Sequence, residues 1–440
     1  MLDKDYKPMF LWQKEFLSSL GTNKESYLLA LERGEGEIKV YKTHIFQSGH
    51  EEENLIYIER IVKFMLWAYG GYRFYLSGNR KVSEGLKRIY SKEGDRSFDY
   101  EFMRKVYGKS LQFIDVEEKD FPEEKEIPLK ASMEKRGYKI GFDAGGSDRK
   151  VTATIDGEVI FDSEDIWFPK LNSDPEYHIK GIKDSIDRAK EALGGRVDAI
   201  GVSTAGIVVN NEIRVASLFL KVPQEVYSEK IVPIYKNLAK DYSCPVKVAN
   251  DGDVAALAGA FSLGQGRMLG IAMGTSEAAG YVDENFNIKG YLNELAFAPV
   301  DANINAPEDE WSGDKGVGSA YHSQDAVIRL AKEINIEMDE SLSLAEKLKV
   351  VQKMANSGDN RAIQIFEKLG EYFGYSILWY KQFYPLKKVL LLGRVASGTG
   401  GDTLLLKAKE ILKNQGSDIE IIIPDEKSRR LGQSYTATLL

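Results

Sequence analysis

Four short stretches of the chain bring together residue types suited to handling phosphate and a transferable proton. In Ile140-Gly141-Phe142-Asp143-Ala144-Gly145-Gly146-Ser147-Asp148, a carboxylate meets paired glycines at the end of an apolar run. Gly145 and Gly146 can take positive φ and let backbone N–H groups approach phosphate oxygens, while Asp143 can hold a hydrated Mg²⁺. A plain β-hairpin is the competing reading, since Gly-Gly turns are common where nothing binds. No Lys-Ser/Thr pair follows, which excludes a Walker loop. A strand-like run, Lys150 to Ile155, comes next where a dinucleotide fingerprint needs a helix.

The second stretch, Ala249-Asn250-Asp251-Gly252-Asp253, leads into the helical run Val254 to Phe261. Asp251 stands where a strand hands over to a helix, so it either caps the helix or faces a ligand cleft at the carboxyl end of the strand. Asp253 competes for the capping role. The third, Gly270 to Ser276, is an apolar strand ending in Gly274-Thr275-Ser276, whose hydroxyls can donate to a terminal phosphate. The fourth, Val389 to Leu392 followed by Gly393-Arg394-Val395-Ala396-Ser397-Gly398-Thr399-Gly400-Gly401 and a helical run from Thr403 to Leu412, can admit a flat base and ribose. Each alone reads as a loop. Their order makes accident a poor explanation.

The elements that must position them follow α/β logic from Tyr138 onward. Val-, Ile- and Ala-rich strands end in Gly or Asp turns and alternate with amphipathic stretches, Tyr177 to Leu193 and Ile231 to Tyr242. The runs Ile140 to Gly146 and Leu269 to Ser276 lie about 130 residues apart and are each followed by a further β-like segment. That layout predicts a duplicated half and two lobes facing a cleft, not a solenoid. A charged stretch from Glu117 to Arg136, containing Pro122 and Pro128, reads as a linker. Before it, strands at Tyr27 to Leu31, Ile38 to Phe46 and Tyr72 to Leu76, with helical spacing over Leu55 to Tyr69, predict a small α+β module rich in aromatics.

Composition bounds the rest. A chain of 440 residues exceeds the reach of one hydrophobic core, so two or three domains are expected. Fifty-nine basic against 67 acidic residues, a net charge of −8, leave no footprint for nucleic acid. The single Cys244 cannot build a disulfide or a cysteine-rich zinc site, and it suits a reducing compartment. No apolar run reaches membrane-spanning length, and the first ten residues carry charges where a secretory core would be apolar. The cytoplasm is the default location, and a small molecule the default partner.

Taken together, Asp143 with Gly145 and Gly146, Asn250-Asp251, Gly274-Thr275, and Gly393 with Ser397 to Gly401 resemble the two phosphate motifs, catalytic aspartate and adenosine motif of the actin-like ATPase superfamily of sugar kinases. Within it the chain is most similar to the ROK family of bacterial sugar kinases and repressors, from about Tyr138 to Leu440. The resemblance implies two ribonuclease-H-like lobes, 137–250 and 251–427, with a C-terminal helix over about 428–440 packing back on the first. Residues 1–136 lie outside it. It also implies ATP and Mg²⁺ as cofactors and a sugar or polyol as acceptor. Asp251 is then the base, Asn250 a sugar ligand and Asp143 the residue that orders Mg²⁺. Gly145, Gly146, Ser147, Gly274, Thr275 and Ser276 serve the phosphates, Gly393, Ser397 and Gly398 the nucleoside, and Thr204, Ala205 and Gly206 line the sugar cleft unless they form a simple β-turn.

Two departures bear on specificity. The family's Gly-Glu-x-Gly-His segment falls on Asn293-Glu294-Leu295-Ala296-Phe297, which keeps Glu294 and loses the histidine. The family's zinc motif and nearby sugar-binding glutamate fall on Gly313 to Tyr321, with Val317 at the final cysteine and Ser319 at the glutamate, so no zinc is expected. Glu294 is read either as a ligand contact or as a buried structural carboxylate. Asp301, Asn303 and Trp311 are placed in the same region. His44, His50, His178 and His322 have no metal-binding spacing, and His178 is expected at a solvated helix start.

Three functional classes follow. The first is a glucokinase- or hexokinase-like ATP-dependent kinase. The second is a catalytically weak or inactive sensor, suggested by the missing histidine and glutamate. The third, an ATPase driving a partner, needs cysteine-bound iron–sulfur clusters in this superfamily, which a lone Cys244 disfavours. ROK repressors carry a winged helix-turn-helix, but the charge-balanced front module shows no basic recognition helix. Its aromatics, Trp67, Tyr69, Tyr72, Phe74 and Tyr75, can line a substrate edge, pack on the core or form a homodimer surface.

Overall fold

The computed structural model describes residues 2–34, 36–131, 135–424 and 432–440. The front module is a four-stranded sheet of order β2-β1-β3-β4, from β1 (Lys24–Gly34), β2 (Glu37–Phe46), β3 (Arg73–Ser77) and β4 (Gln112–Asp115). Alternation in β1 buries Tyr27, Leu29 and Leu31 on one face. Four helices accompany it: α1 (Met9–Ser19), α2 (Glu51–Tyr69), α3 (Arg80–Ile89) and α4 (Ser97–Tyr107). Every residue of α2 from Tyr57 to Tyr69 is buried. A helix buried all round must be covered on both sides. Here the module's own sheet and the carboxyl-terminal half of the protein supply the two covers.

The remainder forms two sheets of similar plan. The first has the order β11-β8-β5-β6-β7, from β5 (Tyr138–Ala144), β6 (Asp148–Ile155), β7 (Glu158–Ile166), β8 (Ala199–Thr204) and β11 (Val246–Asn250). A small hairpin, β9 (Ile207–Val209) and β10 (Glu212–Val215), stands beside it. The second has the order β13-β12-β14-β15, from β12 (Met268–Met273), β13 (Glu277–Val282), β14 (Lys388–Leu392) and β15 (Glu420–Ile422). Each opens with an antiparallel hairpin, β5/β6 or β12/β13, and continues with parallel strands. The expected duplication is present.

Helices α5 (Pro175–Ala192), α6 (Gln224–Val226) and α7 (Leu238–Tyr242) serve the first lobe. Helix α8 (Asp251–Leu263) crosses to the second, which carries α9 (Gln324–Glu333), α10 (Leu344–Asn356), α11 (Asn360–Tyr380) and α12 (Gly398–Asn414). The amphipathic stretch Ile231 to Tyr242 is not one continuous helix: a wide turn, Tyr227–Ile231, precedes α7. Pro233 between them has no N–H to continue a ladder. His178, expected in solvent, is fully buried among the rings of Trp167, Tyr177 and Phe219. A third of a turn of α5 suffices to move it from one face to the other, and the Asn172 carbonyl meets its Nε2 at 3.3 Å.

The C-terminal α13 (Gln433–Ala437) lies on the first sheet, while residues 428–431 of the expected helix lie outside the described residues. Its backbone presses on Gly141 and Gly201, register partners on β5 and β8. A Cβ at either glycine would come within 1.8 Å of the Ser434 carbonyl or 1.7 Å of that of Ala437. Only glycine permits this approach.

One apolar core runs from the module into the second lobe, and the first lobe has its own. Phe64 stacks on Phe383 at 4.0 Å, and Trp67 meets Phe297 at 4.6 Å between ring centres. A buried ionic seam reinforces the contact. Lys63, with no exposed surface, pairs with Asp99 at 3.0 Å and with Asp314, which also receives Arg96. The expected linker is strapped down: Lys125 bridges to Ile38, Leu129 to Ile288, and Glu126 pairs with Lys289 at 2.9 Å.

Candidate active site

Asp143 closes β5 one residue before its end, in register with Ser203 on β8, and β8 pairs Thr204 with Asn250 on β11. The carboxyl ends of three adjacent parallel strands therefore present Asp143, the Ser203–Gly206 turn and Asn250 side by side. That is where α/β sheets place ligands. Asn250 settles the capping ambiguity. Its Oδ1 accepts from the Gly252 N–H at 2.7 Å, and its Nδ2 donates to the Gly206 carbonyl at 2.9 Å. Asn250 thus caps α8 and ties it to the Gly206 turn, leaving Asp251, whose Oδ1 accepts from the Gly252 N–H at 3.0 Å.

Asp253 is not a cap. It is buried, and Oδ1 accepts from the Tyr281 N–H at 3.0 Å and from Asn293 at 2.9 Å. Burial pushes its carboxyl up to about 7.

Asp251 acts electrostatically on two further buried carboxyls, Asp143 and Glu294. Burial raises Asp143 to about 6, Ser203 and the charge of Lys150 reduce the rise, and the charge of Asp251 adds to it. Burial also raises Asp251, and it raises Glu294 to about 7 with the charge of Asp251 adding to the effect. Among the described residues none of the three forms an ion pair with a lysine or arginine. Carboxylates arranged like this favour a cation or hydroxyl donors between them. Gln433, at the start of α13, offers its amide NH₂ to both Asp143 oxygens at 3.1 Å.

The Glu294 segment is held by the front module. The N–H groups of Leu292, Asn293 and Glu294 donate to the carbonyls of Tyr69, Ala68 and Trp67 at 3.1, 2.9 and 3.0 Å. These are the orphan acceptors at the end of α2. Asn293 takes φ +51 to make the turn, donating to Asp253 and accepting from the Tyr384 hydroxyl at 2.9 Å.

The two glycine turns correct one expectation. Neither Gly145, Gly146 nor Gly274 has positive φ. The first glycine of each turn spends its N–H inside the hairpin, Gly145 on the Asp148 carbonyl and Gly274 on that of Ser276, both at 3.0 Å. The open donors are those that follow, Gly146 and Ser147 in one turn, and the exposed Thr275 and Ser276 in the other. Gly393 ends β14 at φ +93, and Ser397 precedes α12, its hydroxyl donating to the Arg394 carbonyl at 2.7 Å while Gln352 donates to both. Gly398, at φ +64, starts α12 and lines a hollow of about 520 Å³ with Ser397, Asp402 and Ile422.

Thr204 is fully buried, its hydroxyl 2.9 Å from that of Tyr235, whereas Ala205 and Gly206 are half-buried. Asp301 is structural, accepting from the Lys7 N–H at 2.9 Å and the Tyr321 hydroxyl at 2.5 Å. Ser319 donates to Asp309 at 2.8 Å. Gln433 and the α2 carbonyls went unread in the sequence. Nothing near them in the chain signals a site, whereas Asn293 is marked by its neighbour Glu294.

The residues fit the cofactors that the fold implies. No group of three potential ligands gathers for a resident metal among the described residues. Mg²⁺ needs only one or two carboxylates beside substrate phosphates, and Asp143 is a buried carboxylate with no ion pair among the described residues. The open amides of both turns and the hollow at Ser397 suit a triphosphate and a base.

Residues 139–400 match the ROK family. Among solved structures, a ROK hexokinase from Thermus thermophilus aligns with 69% of this chain and 98% of its own at 20% identity and a TM-score of 0.54. A ROK transcriptional regulator, a homologue of the E. coli MLC protein, aligns with 69% and 78% at 17% identity and 0.53. A ROK protein from Streptococcus pneumoniae, in complex with sucrose, aligns with 69% and 97% at 11% identity and 0.50. No curated protein matches in sequence. The fold is that of the actin-like ATPases, and with more than half its length matched the chain belongs to the ROK family.

Proposed function

We propose that this protein is an ATP-dependent phosphotransferase that moves the γ-phosphate to a hydroxyl of a sugar or sugar-like polyol. The observation that carries the reading is the division of labour at the head of α8. Asn250 caps the helix and Asp251 is left free beside Asp143 and Glu294.

Asp251 acts as general base. Its raised pKa makes it a better proton acceptor than an exposed aspartate, and such a base typically contributes about 10²- to 10⁴-fold. Glu294 and Asn250 orient the acceptor, with Ala205 and Gly206 closing on it from the first lobe. Asp143 would hold Mg²⁺, which when bound neutralises charge on the transferring phosphoryl group. Gly146, Ser147, Thr275 and Ser276 position the phosphates, and the Gly393–Gly398 turn receives the nucleoside. The test is ADP release from ATP and Mg²⁺ against a panel of sugars, inositols and amino sugars. A hit that Asp251→Asn abolishes supports the kinase, and wild-type turnover by that variant refutes the base.

A second reading, a metabolite sensor, is favoured by two observations. Phe297 stands at the family's histidine and packs on Trp67, and Ser319, at the family's glutamate, is spent on Asp309. A compound that stabilises the protein without ADP release selects this reading.

A further inference from the structure

Trp311 is 59% exposed, yet its surroundings are built to hold it still. Its ring meets those of Phe98, Phe102 and Phe297 edge-on, at 5.3, 5.9 and 5.0 Å between centres. The turn that carries it is closed by Asp309, which accepts from the N–H and the hydroxyl of Ser312, both at 2.7 Å, and from the Ser319 hydroxyl at 2.8 Å. Asp314, three residues beyond Trp311, is locked into the buried seam with Lys63 and Arg96. A scattered exposed aromatic needs no explanation. One fixed by three rings and anchored to a buried ionic seam is a rigid face presented outward, and rigidity lowers the cost of binding.

Phe98 and Phe102 carry this face into a hollow of about 1170 Å³ along α4, lined also by Tyr100, Lys92 and Lys105 and, from the first lobe, by Gln224. Two lines of contact tie the hollow to the candidate acceptor site. Phe297, in ring contact with Trp311, donates its N–H to the Glu294 carbonyl at 3.1 Å. Helix α4 in turn packs against the β9–β10 hairpin that follows the Gly206 turn. The walls of the hollow are thus joined to both sides of the place assigned to the sugar. Its volume exceeds the roughly 300–1,000 Å³ usual for ligand pockets, which is more room than one sugar ring fills.

We propose that Trp311 and α4 form an extension subsite, and that the acceptor is a disaccharide or longer glycoside whose terminal ring lies at Asp251 and Glu294 while its next ring stacks on Trp311. The terminal ring occupies the acceptor site of the proposed phosphotransferase, on which reading the assignment rests. A pyranose has an apolar C–H face that suits an aromatic surface, and a rim of hydroxyls for which Lys92, Lys105 and Gln224 supply hydrogen-bond partners.

The test is binding of glucose, N-acetylglucosamine, maltose, cellobiose and chitobiose to the full-length protein without nucleotide, followed by calorimetry and by acrylamide quenching of tryptophan fluorescence. Of the five tryptophans only Trp311 is exposed, so quenching reports on it. The expected result is a disaccharide that binds about tenfold or more tighter than either monosaccharide and shields Trp311 from acrylamide, while the monosaccharides leave it open. Trp311→Ala should weaken that disaccharide about tenfold and keep monosaccharide affinity within about threefold, and Trp311→Tyr, which retains a ring, should recover most of the loss. A disaccharide that leaves Trp311 unshielded, or binds no tighter than its monosaccharide, overturns the proposal, as does an equal loss for both in folded Trp311→Ala. Shielding needs no variant and decides the matter if Trp311→Ala fails to fold. No binding of any disaccharide at about 10 mM overturns it too. ADP release with glucose in that case leaves the phosphotransferase standing, whereas a shielding disaccharide with no ADP release from any compound removes the transferase and keeps the subsite, so the two fail separately.

Discussion

The backbone N–H of Glu294 donates to the carbonyl of Trp67, 3.0 Å away, so a candidate acceptor-binding carboxylate hangs from the last turn of a helix in the front module. Tyr69 and Ala68 hold the two residues before it in the same way. The module is thus a structural support of the candidate site. Its aromatics pack on the second lobe through Trp67 and Tyr69, whereas Phe74 stacks inside the module on Phe113 and Tyr72 and Tyr75 donate to Glu32.

Removing residues 1–136 should therefore leave a chain that does not fold as a monomer. The deletion strips the cover from Phe297, Trp379 and Phe383 and leaves Asp314 without Lys63 and Arg96. Trp67→Ala in the full chain should cost about 3–5 kcal/mol by opening a cavity in the shared core. Denaturant melts of the variant and gel filtration of the deletion check both. A soluble, monomeric, cooperatively melting 137–440 fragment would show the module to be dispensable.

Asp251→Asn should reduce phosphoryl transfer by at least about 10²-fold while leaving the fold intact. Asn can accept from the Gly252 N–H as Asp251 does, and the substitution removes a charge that raises both Asp143 and Glu294. Single-turnover assays, paired with thermal melts, separate lost chemistry from lost structure.

The parts of the site legible in the sequence are those whose chemistry is local. A strand ending in Asp143 and a glycine turn, or Asn250-Asp251 at a strand-to-helix junction, announces itself within ten residues. Partnerships across the chain do not. Gln433 reaches Asp143 because Gly141 and Gly201 let α13 lie on the sheet, and no pattern around Gln433 predicts that. The glycine turns were legible as turns but not in their bonding: sequence allows Gly145 positive φ, whereas the hairpin bond to Asp148 fixes it otherwise. His178 shows the same limit, since one position on an amphipathic helix decides between solvent and core.

Stability should fall as pH rises through the range set by the raised carboxyls. Asp143 moves from 3.8 to about 6 and Asp253 from 3.8 to about 7, so the folded state holds protons that the unfolded chain releases. Their contribution is most favourable below about pH 4 and is lost progressively up to about pH 7. Asp143→Asn should accordingly melt higher than wild type at pH 8, with the advantage gone near pH 4, and it should be inactive because Asn binds Mg²⁺ poorly. Melting curves at the two pH values decide it: an equal difference at both would mean that Asp143 does not titrate in this range. Activity should show an acid limb for the same reason, since Asp143 and Asp251 must both be ionised.

The two glycine turns, proposed to hold the phosphates, predict opposite outcomes for the same substitution. A Cβ at Gly145 would come 2.8 Å from the Asp148 carbonyl, closer than side chains tolerate, so Gly145→Ala should distort the hairpin and lower the melting temperature. At Gly274 the nearest atom is 3.9 Å away, so Gly274→Ala should melt like wild type. Its methyl group nevertheless stands beside the open amides of Thr275 and Ser276, where it would crowd a terminal phosphate. The expected signature is a raised KM for ATP with an unchanged KM for the acceptor. Unchanged ATP kinetics in Gly274→Ala would place the nucleotide's phosphates elsewhere, and loss of stability in that variant would mean the turn is tighter than its bonding implies.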